Sequence, residues 1–184
     1  MKPLAGVLAT AAVHAAGHSA AALWEAAQSG RCALRANRLQ WCDLDCWIGD
    51  VPAVEGSALP PDLAQWDSRN NRLAWLALRD GAFRDAVATA AARYGASRVG
   101  IVLGTSTSGI RSTEEAYKER REEGAWPDAF HYRKMHSLEA TARFVARVLR
   151  VDGPAIVVST ACSSSAKAFL TAARWMQAGV VDAA

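Results

Sequence analysis

The run Ala155-Ile156-Val157-Val158, continued by Ser159-Thr160-Ala161-Cys162-Ser163-Ser164-Ser165, decides how this chain is read. An unbroken apolar segment that follows the turn signal Asp152-Gly153-Pro154 predicts a buried strand. From Ser163 to Ala178 the pattern becomes that of a helix, apolar over a broad arc that includes Ala168, Phe169, Leu170, Trp175 and Met176, with Lys167, Thr171 and Arg174 on a polar stripe. A strand, a sharp elbow and a helix start would carry the Cys162 thiol at the bend. Helix N-termini collect unpaired N–H groups and about half a unit of positive charge, which favours a thiolate there. Cys162 is therefore the candidate nucleophile.

Upstream, Val99-Gly100-Ile101-Val102-Leu103 is a second continuous apolar run, expected to sit mid-sheet with both faces covered. The loop Gly104 to Gly109 follows it. Ser112 and Glu115 then have capping-box spacing ahead of a charged helix over Glu114 to Glu123. Ser137 is read as the cap of a helix whose apolar face carries Leu138, Val145, Val148 and Leu149. Asp67 or Ser68 caps a helix ending near Gly81, and Ala82 to Tyr94 forms another, closed by Gly95. Nearer the start, Leu4 to Thr10 reads as a first buried strand and Ser19 to Gln28 as an alanine-rich helix with Gly30 just past its end. Between Cys32 and Pro61 the chain reads as a long irregular surface excursion.

Strands alternating with helices give an α/β fold with a mixed, mostly parallel sheet flanked by helices. The 184 residues suffice for one substantial core. With 51% hydrophobic and 21% charged residues, neither disorder nor a fibrous architecture is indicated. The formal charge of +3 is too small and too scattered to argue for nucleic acid, though it leaves room for an acidic protein docking on a few arginines. No apolar run approaches the roughly 20 residues of a membrane span. Cys32, Cys42, Cys46 and Cys162 lack the spacing of a secreted disulfide framework, so a reducing compartment, most simply the cytoplasm, is expected. Met1-Lys2 with Leu4 to Val13 has the outline of a short signal peptide, but the same residues read better as strand and loop.

The segment Ser159 to Ser165 and the helix to Gly179 resemble the active-site segment of the β-ketoacyl-acyl carrier protein synthases. Ala5 to Gly17, Trp24 to Gly30, Arg98 to Gly109 and Ser137 to Pro154 resemble the family's preceding elements, so the likeness covers nearly all of the chain. What it implies is a thiolase-like fold, of which residues 1–184 are the N-terminal half, in a homodimer or a heterodimer with a related subunit. It also implies no bound cofactor: substrates ride on the phosphopantetheine of acyl carrier protein. By the same resemblance Cys162 accepts the acyl group and donates its main-chain N–H to the oxyanion, while Thr107 falls where the side chain gating acyl depth sits. The family's paired histidines and second oxyanion donor have no counterpart here, and His14, His18, His131 and His136 do not fill that role. Two alternatives share the fold: a thiolase acting on coenzyme A thioesters, and a non-catalytic chain-length partner, the latter disfavoured by the presence of Cys162.

Other residues have plainer readings. Cys42 and Cys46 with Asp43 and Asp45 make an incomplete metal set, and His14 and His18 straddle Gly17 rather than sharing a helical face. The seven tryptophans are dispersed and read as packing residues. Arg120 and Arg121 stand on a solvated helix and are weak carrier-protein contacts at most. Gly179 closes the last helix, and Val180 to Ala184 looks like the approach to another strand with nothing after it to pair with, as expected of the first part of a longer polypeptide.

Overall fold

The centre of the molecule is strand β3 (Ile101–Gly104) lying parallel to strand β4 (Ala155–Val158), with Ile101 opposite Ala155 and Gly104 opposite Val158. Side chains alternate across a strand, and the Gly100-Ile101-Val102-Leu103-Gly104 run uses that alternation. Ile101 and Leu103 face helix α7 (Ala140–Leu149), packing on a cluster that includes Phe144, Val145 and Val148. On the opposite face Gly100 and Gly104 leave room for helix α8 (Ser164–Gln177) to lie directly on the backbone. A side chain on Gly100 would meet the Trp175 ring at 3.1 Å, and one on Gly104 would meet the Ser164 and Ser165 main chain at 2.9 Å. Two side-chain-free positions thus set how close α8 lies to the sheet.

The computed structural model describes residues 5–39, 41–56, 58–105 and 107–184, the side chains of residues 121–123 apart. Met1, Lys2 and Leu4 of the expected N-terminal segments, Ser106 of the glycine-bounded loop and the Arg121 side chain lie outside the described residues. The other elements are α1 (Ala20–Gln28), the short antiparallel pair β1 (Arg35–Ala36) and β2 (Trp47–Ile48), α2 (Pro52–Gly56), a 3-10 turn at Pro61–Trp66, α3 (Arg69–Ala77), α4 (Gly81–Tyr94), α5 (Ile110–Glu123) and α6 (Tyr132–Met135). Ser19, Ser68 and Asp80 each cap a helix, their side chains accepting the main-chain N–H of Ala22, Asn71 and Phe83. The larger core joins Leu59, Leu63, Leu78, Phe144, Val145 and Val148; Phe144 is fully buried.

Five expectations are corrected. Ala5–Thr10 forms no strand: the segment has no ladder partner among the described residues, and Val7 and Leu8 are exposed. The region from Cys32 to Pro61 is not wholly irregular, since it holds the β1–β2 pair and α2. Helix α5 starts at Ile110, with Gly109 rather than Ser112 at its cap, because Gly109 is already fixed by its N–H bond to Met135 O. Helix α7 begins after Glu139, and Ser137 instead accepts the Ala140 N–H at its carbonyl; Leu138 is exposed. The fifth is the mid-sheet place of the Val99–Leu103 run, while the terminal segment does have the strand character expected of it and bridges to residues upstream. Asp182 and Ala183 donate to Arg98 O, Ala183 O accepts from Gly100, and Val181 is buried. The Arg98 side chain closes this edge by donating to Asp182 at 2.7 Å and to the Gly179 and Val180 carbonyls. This second partner reaches only Val99 and Gly100, whereas Ile101–Gly104 pair with β4 alone, so among the described residues β3 does not take the mid-sheet position its apolar run predicts.

Candidate active site

The C-terminal ends of parallel strands are where open α/β sheets present their functional loops. At this end β4 runs into Ser159 and Thr160, the chain turns through a short 3-10 segment at Ala161–Ser163, and α8 follows. Ala161 sits at φ +50°, a left-handed conformation that opposes an L side chain by about 1–2 kcal/mol. Such a bend persists only where its surroundings hold it.

Two serines do so here. The buried Ser164 hydroxyl accepts the Thr160 N–H at 2.9 Å and donates to Ala161 O at 2.8 Å, bridging both sides of the bend. Ser163 donates to Thr160 O at 2.8 Å and lies 3.0 Å from the Thr160 hydroxyl. Cys162 lies inside this clamped bend, between Thr160 and Ser163, exposed and two residues ahead of Ser164, the first residue of α8, and thus at the positive end of that helix. The sequence pointed to Cys162 but not to these clamps. Their signal was present: polar hydroxyls directly after the candidate cysteine, at positions a helix start can use.

The Gly104–Gly109 loop leaves the sheet beside this elbow. Thr105 donates its N–H to Val158 O at 3.1 Å, tying the loop to the end of the strand that leads to Cys162. Thr107 is exposed, and its carbonyl accepts the Thr105 hydroxyl at 2.6 Å. The loop's far end is buried at Ser108 and Gly109.

The histidines are elsewhere. His14 serves its own turn, with Nδ1 accepting the Ala16 N–H and Nε2 donating to Ser19 O. His136 Nδ1 lies 2.7 Å from the Thr113 hydroxyl on α5. Among the described residues no group of three His, Cys, Asp or Glu side chains could hold a metal ion. Arg120 lies over the Trp126 ring at 4.6 Å, and Lys167 is exposed on α8. A polar cavity of about 340 Å³ between α2, α3 and α5 is built around Glu55, which Arg69 contacts at 2.6 Å and Arg111 at 3.4 Å, while Arg111 stacks over Trp41 at 4.3 Å. Burial works against the Glu55 charge, but the hydrogen bond and charge of Arg69, with Arg111 beside it, outweigh burial and hold the carboxyl below its ordinary range. Neither Cys162 nor Thr107 lines this cavity.

The family model for the beta-ketoacyl synthase N-terminal domain matches residues 61–184. A chain of the complex between the ketosynthase ApeO and its chain length factor ApeC from Xenorhabdus doucetiae superposes with a TM-score of 0.77 at 31% identity, over 94% of this chain and 43% of that one. A beta-ketoacyl synthase from Burkholderia phymatum STM815 superposes with a TM-score of 0.67 over the same shares of the two chains, and at 22% identity that likeness is one of fold. The chain therefore spans less than half the length of these neighbours. No curated protein matches it significantly.

A parallel strand pair sandwiched by α7 and α8, with a thiol at the strand-to-helix bend, places the molecule in the thiolase-like ketosynthase class of α/β folds. Within that class the chain belongs to the beta-ketoacyl synthase family, matched through its N-terminal domain.

Proposed function

We propose that this chain supplies the nucleophilic half of a condensing enzyme that joins an acyl group held on Cys162 to malonyl-acyl carrier protein. The observation that supports it is the clamped left-handed elbow at Ala161, which presents Cys162 at the start of α8. In the first step the thiolate attacks the carbonyl of an acyl thioester, the tetrahedral oxyanion accepts the Cys162 main-chain N–H, and the phosphopantetheine thiol leaves. In the second, malonyl-carrier protein loses carbon dioxide, and the resulting carbanion attacks the acyl-Cys162 carbonyl. That step expels the thiolate and releases 3-oxoacyl-carrier protein. A thiol suits both halves because it is a strong nucleophile and a good leaving group. In this reading none of His14, His18, His131 and His136 is assigned the decarboxylation step.

Thr107, on the loop tied to Val158, gates acyl depth in this reading. Acyl carrier protein is the substrate carrier, and the ApeO–ApeC complex favours pairing with a related subunit. The cytoplasmic location in this reading rests on the spacing of Cys32, Cys42, Cys46 and Cys162, and no helix of the described residues is long and apolar enough to cross a membrane.

The test is to incubate the full-length gene product with acyl-carrier protein and to locate the acyl group by intact-protein and peptide mass spectrometry. A thioester on Cys162, absent from Cys162→Ala, is expected. A Cys162→Ser variant that condenses at the wild-type rate would reject the assignment.

A further inference from the structure

The far end of the Gly104–Gly109 loop is held by the main chain at the end of α6 and just after it. Gly109 donates its N–H to Met135 O at 3.0 Å, and the buried Ser108 hydroxyl lies 2.9 Å from Ser137 O and 3.4 Å from Met135 O. A side chain on Gly109 would collide with the Met135 carbonyl, so the loop is seated as closely as backbone allows. The Gly109 carbonyl accepts the Thr113 hydroxyl at 3.0 Å, and that same hydroxyl lies 2.7 Å from His136 Nδ1. A hydroxyl has a single proton and a carbonyl can only accept, so the Thr113 proton goes to Gly109 and His136 Nδ1 is the donor to Thr113. The imidazole is held on one side by the Tyr132 ring, with centroids 5.0 Å apart, and borders a cavity of about 430 Å³ lined also by Ile110, Glu114, Tyr117 and Lys118. His136, Thr113 and Gly109 thus form one chain of hydrogen bonds ending on the residue that closes the loop.

From this geometry we infer that His136 is a positioning residue: acting through Thr113 it fixes Gly109, and together with the Ser108–Ser137 bond it determines where Thr107 stands. The inference rests on the proposed role of this loop in the acyl pocket. The loop is pinned at two separate places, at Thr105 on β4 near the elbow and at Ser108–Gly109 on the end of α6 and the segment just after it. Loosening the second pin leaves the Ser163 and Ser164 clamps around Cys162 untouched. It therefore changes which acyl chains are accommodated, and leaves the reactivity of the thiol with the shortest donor unchanged.

The experiment uses the full-length gene product and its His136→Asn, His136→Gln, Thr113→Val and Thr113→Ser variants. Asn places an N–H donor where Nδ1 stands, whereas Gln reaches towards the Nε2 position; Ser keeps the hydroxyl that Val removes. Single-turnover acylation of Cys162 is measured for acyl-carrier donors of increasing chain length, alongside deuterium exchange of the peptide spanning residues 107–113. His136→Gln and Thr113→Val should alter the long-to-short preference by about two- to tenfold, the range for loss of one hydrogen bond, and speed exchange in that peptide. His136→Asn and Thr113→Ser should match the wild type in both readouts. Unchanged preference in all four variants overturns the inference, as does an Asn variant as altered as the Gln one, which would make the ring a packing element. Failure of the wild type to acylate Cys162 at all, with exchange still responding to the variants, would instead reject the underlying functional reading.

Discussion

Replacing Gly104 with alanine tests whether the seating of α8 on the sheet governs the thiol. The new methyl would sit 2.9 Å from the Ser164 carbonyl carbon and the Ser165 nitrogen, inside the 3.4 Å at which ordinary contact begins. Both neighbours are main chain, so neither can rotate away. Relief requires the start of α8 to rise by about half an ångström, or β3 to sink into the Phe144 cluster. Overpacking of this kind is destabilising by about 1–3 kcal/mol. Because Cys162 lies two residues before Ser164, within the bend that Ser164 holds, the same movement displaces the thiol; misplacement of about 1 Å can slow a positioned reaction about a hundredfold, so roughly a tenfold slower acylation is expected. Denaturant titration of the full-length protein reads the first effect, and single-turnover acylation of Cys162 reads the second. Gly81→Ala is the control, since a side chain there meets nothing within 4 Å. An unchanged midpoint would refute the contact argument. Lost stability with unaltered acylation would refute the coupling between helix seating and thiol position.

Two further predictions concern strain and charge. Ala161→Gly relieves the left-handed φ of +50° and should keep stability within about 1 kcal/mol, while Ala161→Val should lose about 1–3 kcal/mol in denaturant titration; equal tolerance of the two would contradict the bend. The Glu55 carboxyl, held below its ordinary range by Arg69 and Arg111 in the folded state, contributes stability that is present above the ordinary carboxylate range and is lost as pH falls through the lowered value. The pair is half-exposed, so the difference between wild type and Glu55→Gln should be under about 1 kcal/mol near neutrality and should vanish in acid; a gap that widens on acidification would reverse the sign of the argument.

What was legible in the sequence was local. The two apolar runs became β3 and β4, and Ser19 and Ser68 cap helices as read because capping needs only a side chain and an N–H three residues on. Cys162 could be marked because strand, bend and helix start are contiguous in the chain. Non-local pairing was not legible. Val180 to Ala183 showed strand character without revealing that its partner is Arg98 to Gly100, more than eighty residues earlier. The Ser112–Glu115 spacing fitted a capping box, yet Glu115 instead binds Arg111 within an established helix, because the docking of Gly109 on Met135 had already begun α5 at Ile110. The expected strand at Leu4 to Thr10 had apolar content but lacks a ladder partner among the described residues.

The indole of Trp175 rests over Gly100 near one end of α8, and Cys162 lies just before the other. At about 1.5 Å of rise per residue the two are separated by some 17–20 Å along a stiff rod. A tilt produced by loading the thiol would be carried along that lever to the ring, so a variant that keeps Trp175 as its single indole would turn its emission into an optical gauge of events at the opposite tip.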